Sequence, residues 1–325
     1  MNWSLLTDLK KQLDGFRPMP PELVLNLEQW FKVELTYTSN ALEGNTLTRQ
    51  ETAVVLEKGL TVSGKSLVEH LEATNHAKAY EQILELVSED ETSIDEEKIL
   101  AIHEAILKGI DDPNAGCYRA VMVRISGSQV VLPNPVKVPD LMEEFSSWFQ
   151  NPGKLHPVEI AAEAHYRLVT IHPFSDGNGR TARLLMNLLL LREGYPPALI
   201  RTRDRLRYLQ SLEEAQLGGS KEKFYRLIQD AVKRSFDIYL KAVSGDDRPR
   251  EPEKPLLKIG QIAKQSGQTV PTIRHWVKSG LIDVTDVTAS GYQLFEEDAL
   301  ARIKDIQELK SQRYTLEEIR AKLNP

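Results

Sequence analysis

The residues with the clearest chemical potential lie together in one short segment, residues 171–183. Upstream, residues 161–171 have the apolar spacing of a helix, and apolar residues downstream begin another helix. The turn between the two contains Gly177, Asn178 and Gly179. Backbone N–H groups in such a turn point outward at the positive end of the second helix. The segment therefore predicts a site for a phosphate group.

Four charged or titratable side chains flank this turn. Arg180 and Arg183 are three residues apart on one helix face, where they can pair with phosphate oxygens. Because the helix dipole disfavours basic residues at a helix start, this pair indicates a bound anion. Asp176 offers the carboxylate that Mg²⁺ binds beside phosphates, and His172 can take a proton near neutral pH. Together these residues predict a nucleotide-dependent transferase with a general base.

The order of residues 172–180, His-Pro-Phe-Ser-Asp-Gly-Asn-Gly-Arg, resembles the complete signature of the Fic (filamentation induced by cAMP) family. Most members of that family transfer AMP from ATP to a hydroxyl side chain of a target protein. The resemblance therefore implies a protein adenylyltransferase that uses ATP and Mg²⁺. The expected acceptors are an unidentified protein and the enzyme itself.

The resemblance also assigns roles to individual residues. His172 is expected to deprotonate the acceptor hydroxyl, and Asp176 to hold Mg²⁺. Phe174 is expected to anchor the loop in the core. An aromatic residue often lies beside the adenine in relatives, and Tyr208 stands at that place. The residues that the resemblance places around ATP are Phe174, Gly177, Asn178, Gly179, Arg180, Arg183 and Tyr208.

The reaction itself is left partly open by this resemblance. Relatives that seat their donor differently resemble kinases or phosphocholine transferases, and some relatives also remove AMP. A transcription regulator whose Fic domain only senses nucleotide is another interpretation, and the toxin half of a toxin–antitoxin pair is a third. His172 favours the enzyme, because a pure sensor has no use for a base.

A second segment has the alternating pattern of β-strands. Residues 120–125 and 129–132 flank a Ser-Gly-Ser turn, which predicts a β-hairpin. A single hairpin requires a partner surface, so we expect it to lie against the helical body. It resembles the flap of the Fic family, which pairs with an extended target segment as an added strand. The flap residues are then Val123, Ile125 and Val130.

A third motif lies near the N-terminus, where Ser39, Glu43 and Gly44 fit the pattern Ser/Thr-x-x-x-Glu-Gly/Asn. On spacing alone, Asn40 is an N-cap with a glutamate three residues later, which is typical of a helix start. The pattern also resembles the inhibitory motif of the Fic family. That resemblance implies an ion pair between Glu43 and Arg183, which withholds the arginine from the γ-phosphate. A carboxylate placed there also repels a triphosphate.

The elements that position these residues are expected to be mainly helical, because apolar side chains recur at three- and four-residue spacing. Residues 244–255 contain three prolines and seven charged residues, a composition typical of a linker. The predicted parts are an N-terminal helical region with the inhibitory motif at 1–115, a Fic core with the flap and active-site loop at 116–243, a linker at 244–256, and a winged helix-turn-helix domain at 257–325.

The predicted winged domain has two short helices separated by a glycine turn, a wing with its tip near Ser290, and a long helix at 297–312. This order resembles the MerR type. Residues 257–282 hold four basic residues and no acidic one, whereas residues 283–325 hold six basic and nine acidic residues. DNA binding and protein binding or dimerisation are therefore both open. The candidate DNA contacts are Arg274, His275 and Lys278.

The overall composition excludes several classes of protein. Apolar residues make up 41% and charged residues 27%, which excludes a disordered chain. The net charge of −6 gives no general attraction to nucleic acid, so any DNA binding requires a local patch. The single cysteine, Cys117, excludes an internal disulfide, and we expect neither a membrane segment nor a secretion signal. We expect a cytoplasmic protein, and a homodimer that could read two DNA half-sites.

Overall fold

The computed structural model describes residues 3–88, 94–245, 256–287 and 292–323. Most of the predicted linker and the predicted wing tip lie outside the described residues. Contacts divide the chain into two units, Met1–Thr202 with Ser211–Asp247, and Arg203–Gln210 with Arg248–Pro325. The division differs from the predicted one at Arg203–Gln210, a short segment that groups with the C-terminal residues. None of the helices in the described ranges is long and apolar enough to cross a membrane.

Helices account for nearly all of the regular structure before the linker, which confirms the mainly α class. The helices are α1 (Ser4–Asp14), α2 (Pro21–Leu42), α3 (Arg49–Lys58), α4 (Leu67–Ser88), α5 (Glu96–Leu107), α6 (Val138–Gln150), α7 (Pro157–Ile171), α8 (Asn178–Arg192), α9 (Arg205–Gln216) and α10 (Glu222–Ser244). Two 3₁₀ turns, Pro135–Lys137 and Thr202–Asp204, precede α6 and α9.

Helices α7 and α8 form the centre of the first unit and carry the predicted active-site loop between them. Helix α7 starts with Pro157 at its first position, where the missing N–H costs no hydrogen bond, and His156 Nδ1 accepts the N–H of Val158. Most side chains of helix α8 are buried, and its second half is mainly leucine. The loop is therefore held between two rigid, buried helices.

The inhibitory motif lies at the end of helix α2 and not at the start of a helix. Asn40 occupies the last turn of α2, and Glu43 follows as the C-cap residue. The helix-start interpretation of Asn40 was therefore wrong. Gly44 comes next with φ +105°, a backbone conformation that residues with a side chain rarely adopt, and it lets the chain leave the helix.

The segment 121–132 reverses direction at the predicted turn, where the Ser128 N–H donates to the Ile125 carbonyl at 3.2 Å. Its two arms, however, form no strand ladder in this described stretch, so the prediction of a β-hairpin with paired strands was wrong. Side chains from outside the segment bind its backbone instead, and an isolated two-stranded ribbon is only marginally stable. Val123, Ile125 and Val130 are half-buried and alternate with exposed neighbours, as the pattern predicted.

The C-terminal unit has the winged helix-turn-helix order that the sequence predicted. Helices α11 (Ile259–Ser266) and α12 (Val270–Lys278) are followed by strands and by helices α13 (Asp298–Ser311) and α14 (Leu316–Leu323). Strands β1 (Leu257–Lys258), β2 (Asp286–Val287) and β3 (Gln293–Phe295) form an antiparallel sheet in the order β1-β3-β2. The core of this unit includes Trp276, Phe295 and Ile303. Strand β1 was not predicted, because two residues are too short for a periodic signal.

Candidate active site

His172 directly follows helix α7 and adopts a left-handed backbone conformation with φ 51°. The Nδ1 atom lies 3.3 Å from the Val169 carbonyl, which assigns the proton to Nδ1 and leaves the lone pair on Nε2. Burial lowers the pKa of His172, and the nearby Arg119 charge acts in the same direction. His172 is therefore neutral near pH 7, in the form that can accept a proton.

The loop after His172 is closed by Asn178 and Phe174. The Phe174 N–H donates to Asn178 Oδ1 at 3.0 Å, and Asn178 Nδ2 donates to the Phe174 carbonyl at 2.9 Å. The Phe174 ring is fully buried and stacks on His103 with ring centres 3.6 Å apart. Phe174 thus packs in the core, as the resemblance implied. The side chain of Asn178 shapes the loop, so only its backbone N–H is left to face a phosphate.

His103 is a residue of this site that sequence analysis missed. Its Nε2 lies 3.0 Å from the Asp176 carbonyl, and its Nδ1 lies 3.1 Å from the Gly116 N–H, which must be the donor. Burial lowers the pKa of His103 to about 4, so the ring is neutral and donates from Nε2. A Cβ at Gly177 would lie 3.2 Å from this ring, and Gly177 has φ +76°. Close packing and backbone conformation therefore both favour glycine at 177.

Arg180 is engaged with two carboxylates and is only 2% exposed. Its Nη1 lies 2.9 Å from Glu72 Oε1 and its Nη2 lies 3.1 Å from Asp176 Oδ2. Asn45 Nδ2 donates to the second oxygen of Glu72 at 2.8 Å. Sequence analysis did not identify Glu72, because no motif surrounds it. Arg180 therefore links helix α4 to the loop in addition to any contact with phosphate.

Asp176 has a carboxylate with the chemistry and exposure that a magnesium site requires. Its Oδ1 accepts the Gly177 N–H at 2.6 Å, and its side chain is 69% exposed. Magnesium in nucleotide sites is held by one or two carboxylates together with phosphate oxygens and water. The described residues hold no cluster of three or more acidic, histidine or cysteine ligands. The donor set thus fits a magnesium ion that a bound phosphate helps to hold.

Arg183 points to the end of helix α2 and is buried there. Its Nε donates to Ser39 Oγ at 3.0 Å, and its Nη2 donates to the Ser39 carbonyl at 3.0 Å. The same Nη2 lies 2.6 Å from Glu43 Oε1, so the predicted ion pair is present. Its inhibitory effect stays a prediction. The three contacts hold the guanidinium at the inhibitory motif.

The carboxylate of Glu43 also lies directly against the glycine turn. A Cβ at Gly179 would overlap Glu43 Oε1 and would lie 3.0 Å from Arg183 Nη1. The carboxylate therefore occupies the space next to the backbone of the predicted phosphate site. A triphosphate in that place would meet a negative charge at close range.

Arg119 is a further residue that sequence analysis did not assign to the site. It is 3% exposed, and its Nε donates to the His172 carbonyl at 2.8 Å. Its Nη1 donates to the Val121 carbonyl at 3.1 Å, and its Nη2 to the Pro133 carbonyl at 2.7 Å. Arg119 thus ties both ends of the segment 121–132 to the residue expected to act as base.

The remaining predicted residues lie in the C-terminal unit. Tyr208 is buried, at 3% exposure, and its position beside the adenine stays a prediction. The three residues predicted to contact DNA are exposed on helix α12. Their binding to DNA also stays a prediction. These residues are Arg274, His275 and Lys278.

Two family profiles match separate parts of the chain. The profile of the Fic/DOC family matches residues 93–190, and that of the MerR HTH family regulatory protein matches residues 257–324. The first match contains the loop, the segment 121–132 and His103. The second covers the winged helix-turn-helix unit, in agreement with the MerR resemblance.

Known proteins similar to this chain lead to the same family. A protein adenylyltransferase Fic of Nematostella vectensis is 39% identical over 66% of this chain. The chain spans about half the length of the curated relatives it matches, 51% for that protein. A Fic domain containing signaling protein from Bacteroides thetaiotaomicron is 31% identical, with a TM-score of 0.70, over 75% of this chain and 99% of that one. The C. elegans Fic-1 protein is 30% identical with a TM-score of 0.69, over 75% and 72% of the two chains. The chain belongs to the Fic family.

Proposed function

We propose that this protein is an adenylyltransferase that moves AMP from ATP to a hydroxyl side chain of a protein. The observation that carries the proposal is the complete loop, in which a neutral His172 is followed by the glycine turn at the start of α8. The relatives from Nematostella vectensis and Aedes aegypti, which are protein adenylyltransferases, support it. His172 favours an enzyme over a nucleotide sensor, because a sensor needs no base. The contact of Glu43 with Arg183 within the same chain disfavours a toxin.

In the proposed reaction the acceptor hydroxyl lies near His172 Nε2 and passes its proton to that atom. The hydroxyl oxygen forms a bond to the α-phosphorus, and the bond from this phosphorus to the bridging oxygen of pyrophosphate breaks. Backbone N–H groups at 177–179 hold the phosphates in line, so positioning and electrostatics supply most of the catalysis. Asp176 would hold Mg²⁺, and this ion would neutralise part of the charge on the phosphates.

The same geometry supports regulation from within the chain. In the described conformation, Arg183 is bound to Ser39 and Glu43, so its guanidinium is not available to a γ-phosphate. Glu43 also presents its charge to the phosphate site. We infer that this conformation is the inhibited form and that the end of α2 must move before ATP binds productively.

ATP labelled at one phosphate tests the reaction class. Incubation of the purified protein with ATP labelled on the α-phosphate is expected to leave label on protein, and γ-labelled ATP is expected to leave none. The same chain serves as enzyme and as acceptor, since self-modification is expected. Label from the γ-position alone would instead identify a kinase, and label from neither position, in the wild type and in Glu43→Gly alike, would contradict the proposal.

A second function, DNA binding, is favoured for the C-terminal unit by its family match and by the exposed face of α12. It would make the protein a regulator as well as an enzyme, with a homodimer to read two half-sites. The chain has a single cysteine and so needs no internal disulfide, which supports a location in the reducing cytoplasm.

The double substitution Arg274→Ala, Lys278→Ala tests this second function. We expect weaker DNA binding and a salt dependence whose log–log slope falls by about 2, since each lost phosphate contact removes about 0.9. Affinity for a random duplex and for a selected site would be measured between low and moderate salt. The matched control is Lys304→Ala, which removes an exposed lysine of α13. A slope that is the same in the double variant and the parent contradicts contact through α12.

A further inference from the structure

The turn of the flap, residues 125–129, is held by one side chain of helix α9. Glu213 Oε1 accepts the Ser128 hydroxyl at 2.7 Å and the Gln129 N–H at 2.9 Å. The Ser128 oxygen in turn accepts the Val130 N–H at 3.2 Å. One carboxylate oxygen therefore fixes the turn and, through Ser128, the first residues of the arm that follows it.

The two ends of the flap are held from a different direction. Arg119 donates to the carbonyls of Val121 and Pro133, on either side of the segment. Between these ends and the turn, the arms form no ladder with each other in this described stretch. Val131 is 89% exposed and Val121 is 62% exposed. The arms are thus exposed to solvent, while their ends and turn are fixed by hydrogen bonds.

An open edge binds an extended peptide well only when its shape is set beforehand, because ordering a loop at the moment of binding weakens affinity. A carboxylate accepts two donors without adding one of its own, and charge-assisted hydrogen bonds are the stronger kind. The hydrogen bonds from Gln129 and Ser128 lower the pKa of Glu213, so the carboxylate is ionised at neutral pH. Glu213 therefore suits the task of holding this turn.

We propose that Glu213 is a positioning residue for the acceptor protein: it holds the flap turn so that the arms at 121–125 and 129–132 present a preformed edge. The proposal rests on the proposed adenylyltransferase function. It assigns no chemistry to Glu213, which lies on α9 and acts through Ser128 and Gln129. Its loss should therefore weaken acceptor binding and leave the use of ATP as it is.

The kinetic test compares Glu213→Ala with its parent in a Glu43→Gly background, with the full-length His172→Ala chain as the acceptor. We expect the KM for the acceptor to rise about fivefold, the effect of losing one or two hydrogen bonds, with the KM for ATP unchanged. Glu213→Gln keeps an acceptor oxygen and should recover most of the loss. Glu214→Ala is the matched control, since Glu214 is the next residue of α9 and pairs with the surface Lys223 at 2.8 Å. Equal changes in both KM values, or in kcat alone, would overturn the proposal.

Amide hydrogen exchange supplies a readout that does not require activity. Glu213→Ala is expected to speed exchange at residues 128–132 and to leave residues 172–183 unaffected, whereas Glu214→Ala changes neither. Exchange that stays slow at 128–132 overturns the proposal, and so does faster exchange with an unchanged acceptor KM. Absence of AMP transfer in the Glu43→Gly parent would contradict the proposed function, and the exchange data would still decide whether Glu213 holds the turn.

Discussion

Replacing Glu43 with glycine is expected to raise the rate of AMP transfer on the order of tenfold to a hundredfold, since each ~1.4 kcal/mol of repulsion removed from the bound triphosphate is a factor of ten. The carboxylate that is removed lies 2.6 Å from Arg183 Nη2 and directly against Gly179. Its loss is expected to free Arg183 for the γ-phosphate and to end the repulsion of the triphosphate. The measurement is the rate at which label from α-labelled ATP becomes attached to protein.

Glu43→Gln is the matched control for this substitution, because it keeps the shape of the side chain and removes the charge. We expect an intermediate rate, since the amide can still accept from Arg183 but no longer repels phosphate. Calorimetric affinity for a non-hydrolysable ATP analogue should increase in the same order. A rate of self-modification in Glu43→Gly equal to that of the wild type would show that this contact does not inhibit the enzyme.

Replacing His172 with alanine is expected to lower the rate of AMP transfer by about 10²- to 10⁴-fold, the usual contribution of a general base. The neutral ring, with its Nδ1 proton directed at Val169, leaves Nε2 as the proton acceptor. The assay is α-label transfer in the Glu43→Gly background, where the rate is highest. His172→Asn is a useful second variant, because asparagine tolerates the left-handed backbone at 172 but supplies no base.

Both His172 variants should retain the ATP affinity of their parent, which separates loss of the base from loss of the loop. A rate within about threefold of the parent, well short of the usual contribution, would show that His172 is not the base. The pH profile gives a further check. Because burial lowers the pKa of His172 in the free protein, the neutral base persists below pH 6.5, and the acid limb of kcat/KM should lie below that value. An acid limb above pH 6.5 would contradict this assignment.

The active-site loop was predictable because its chemistry lies in consecutive residues. Helix ends, a glycine turn and charges at three-residue spacing place neighbours in space through local geometry alone. Asn178 and Phe174 contact each other across only four residues. The partner of Arg183 could not be predicted from local geometry, because Glu43 is 140 residues away in the sequence. It was expected only through the resemblance of its motif to that of a known family.

Some predictions went wrong because a local pattern is compatible with more than one environment. The spacing of Asn40 and Glu43 suits a helix start, yet buried side chains continue α2 through Asn40 to Leu42. The alternation at 120–132 suits paired strands, yet the carbonyls and N–H groups that a ladder would use at the ends and turn bond to Arg119 and Glu213. In both cases tertiary contacts outweighed local preference.

Local order along the chain was enough to identify the loop, the mainly helical fold and the winged unit, because each depends on periodicity or on adjacent residues. The residues that hold the active-site loop in place come from distant parts of the sequence, and only tertiary packing brings them to it. His103, Arg119 and Glu72 contact the loop across 73, 53 and 108 residues. Their hydrogen bonds become strong only when burial removes competing water, and burial is a property of the folded chain.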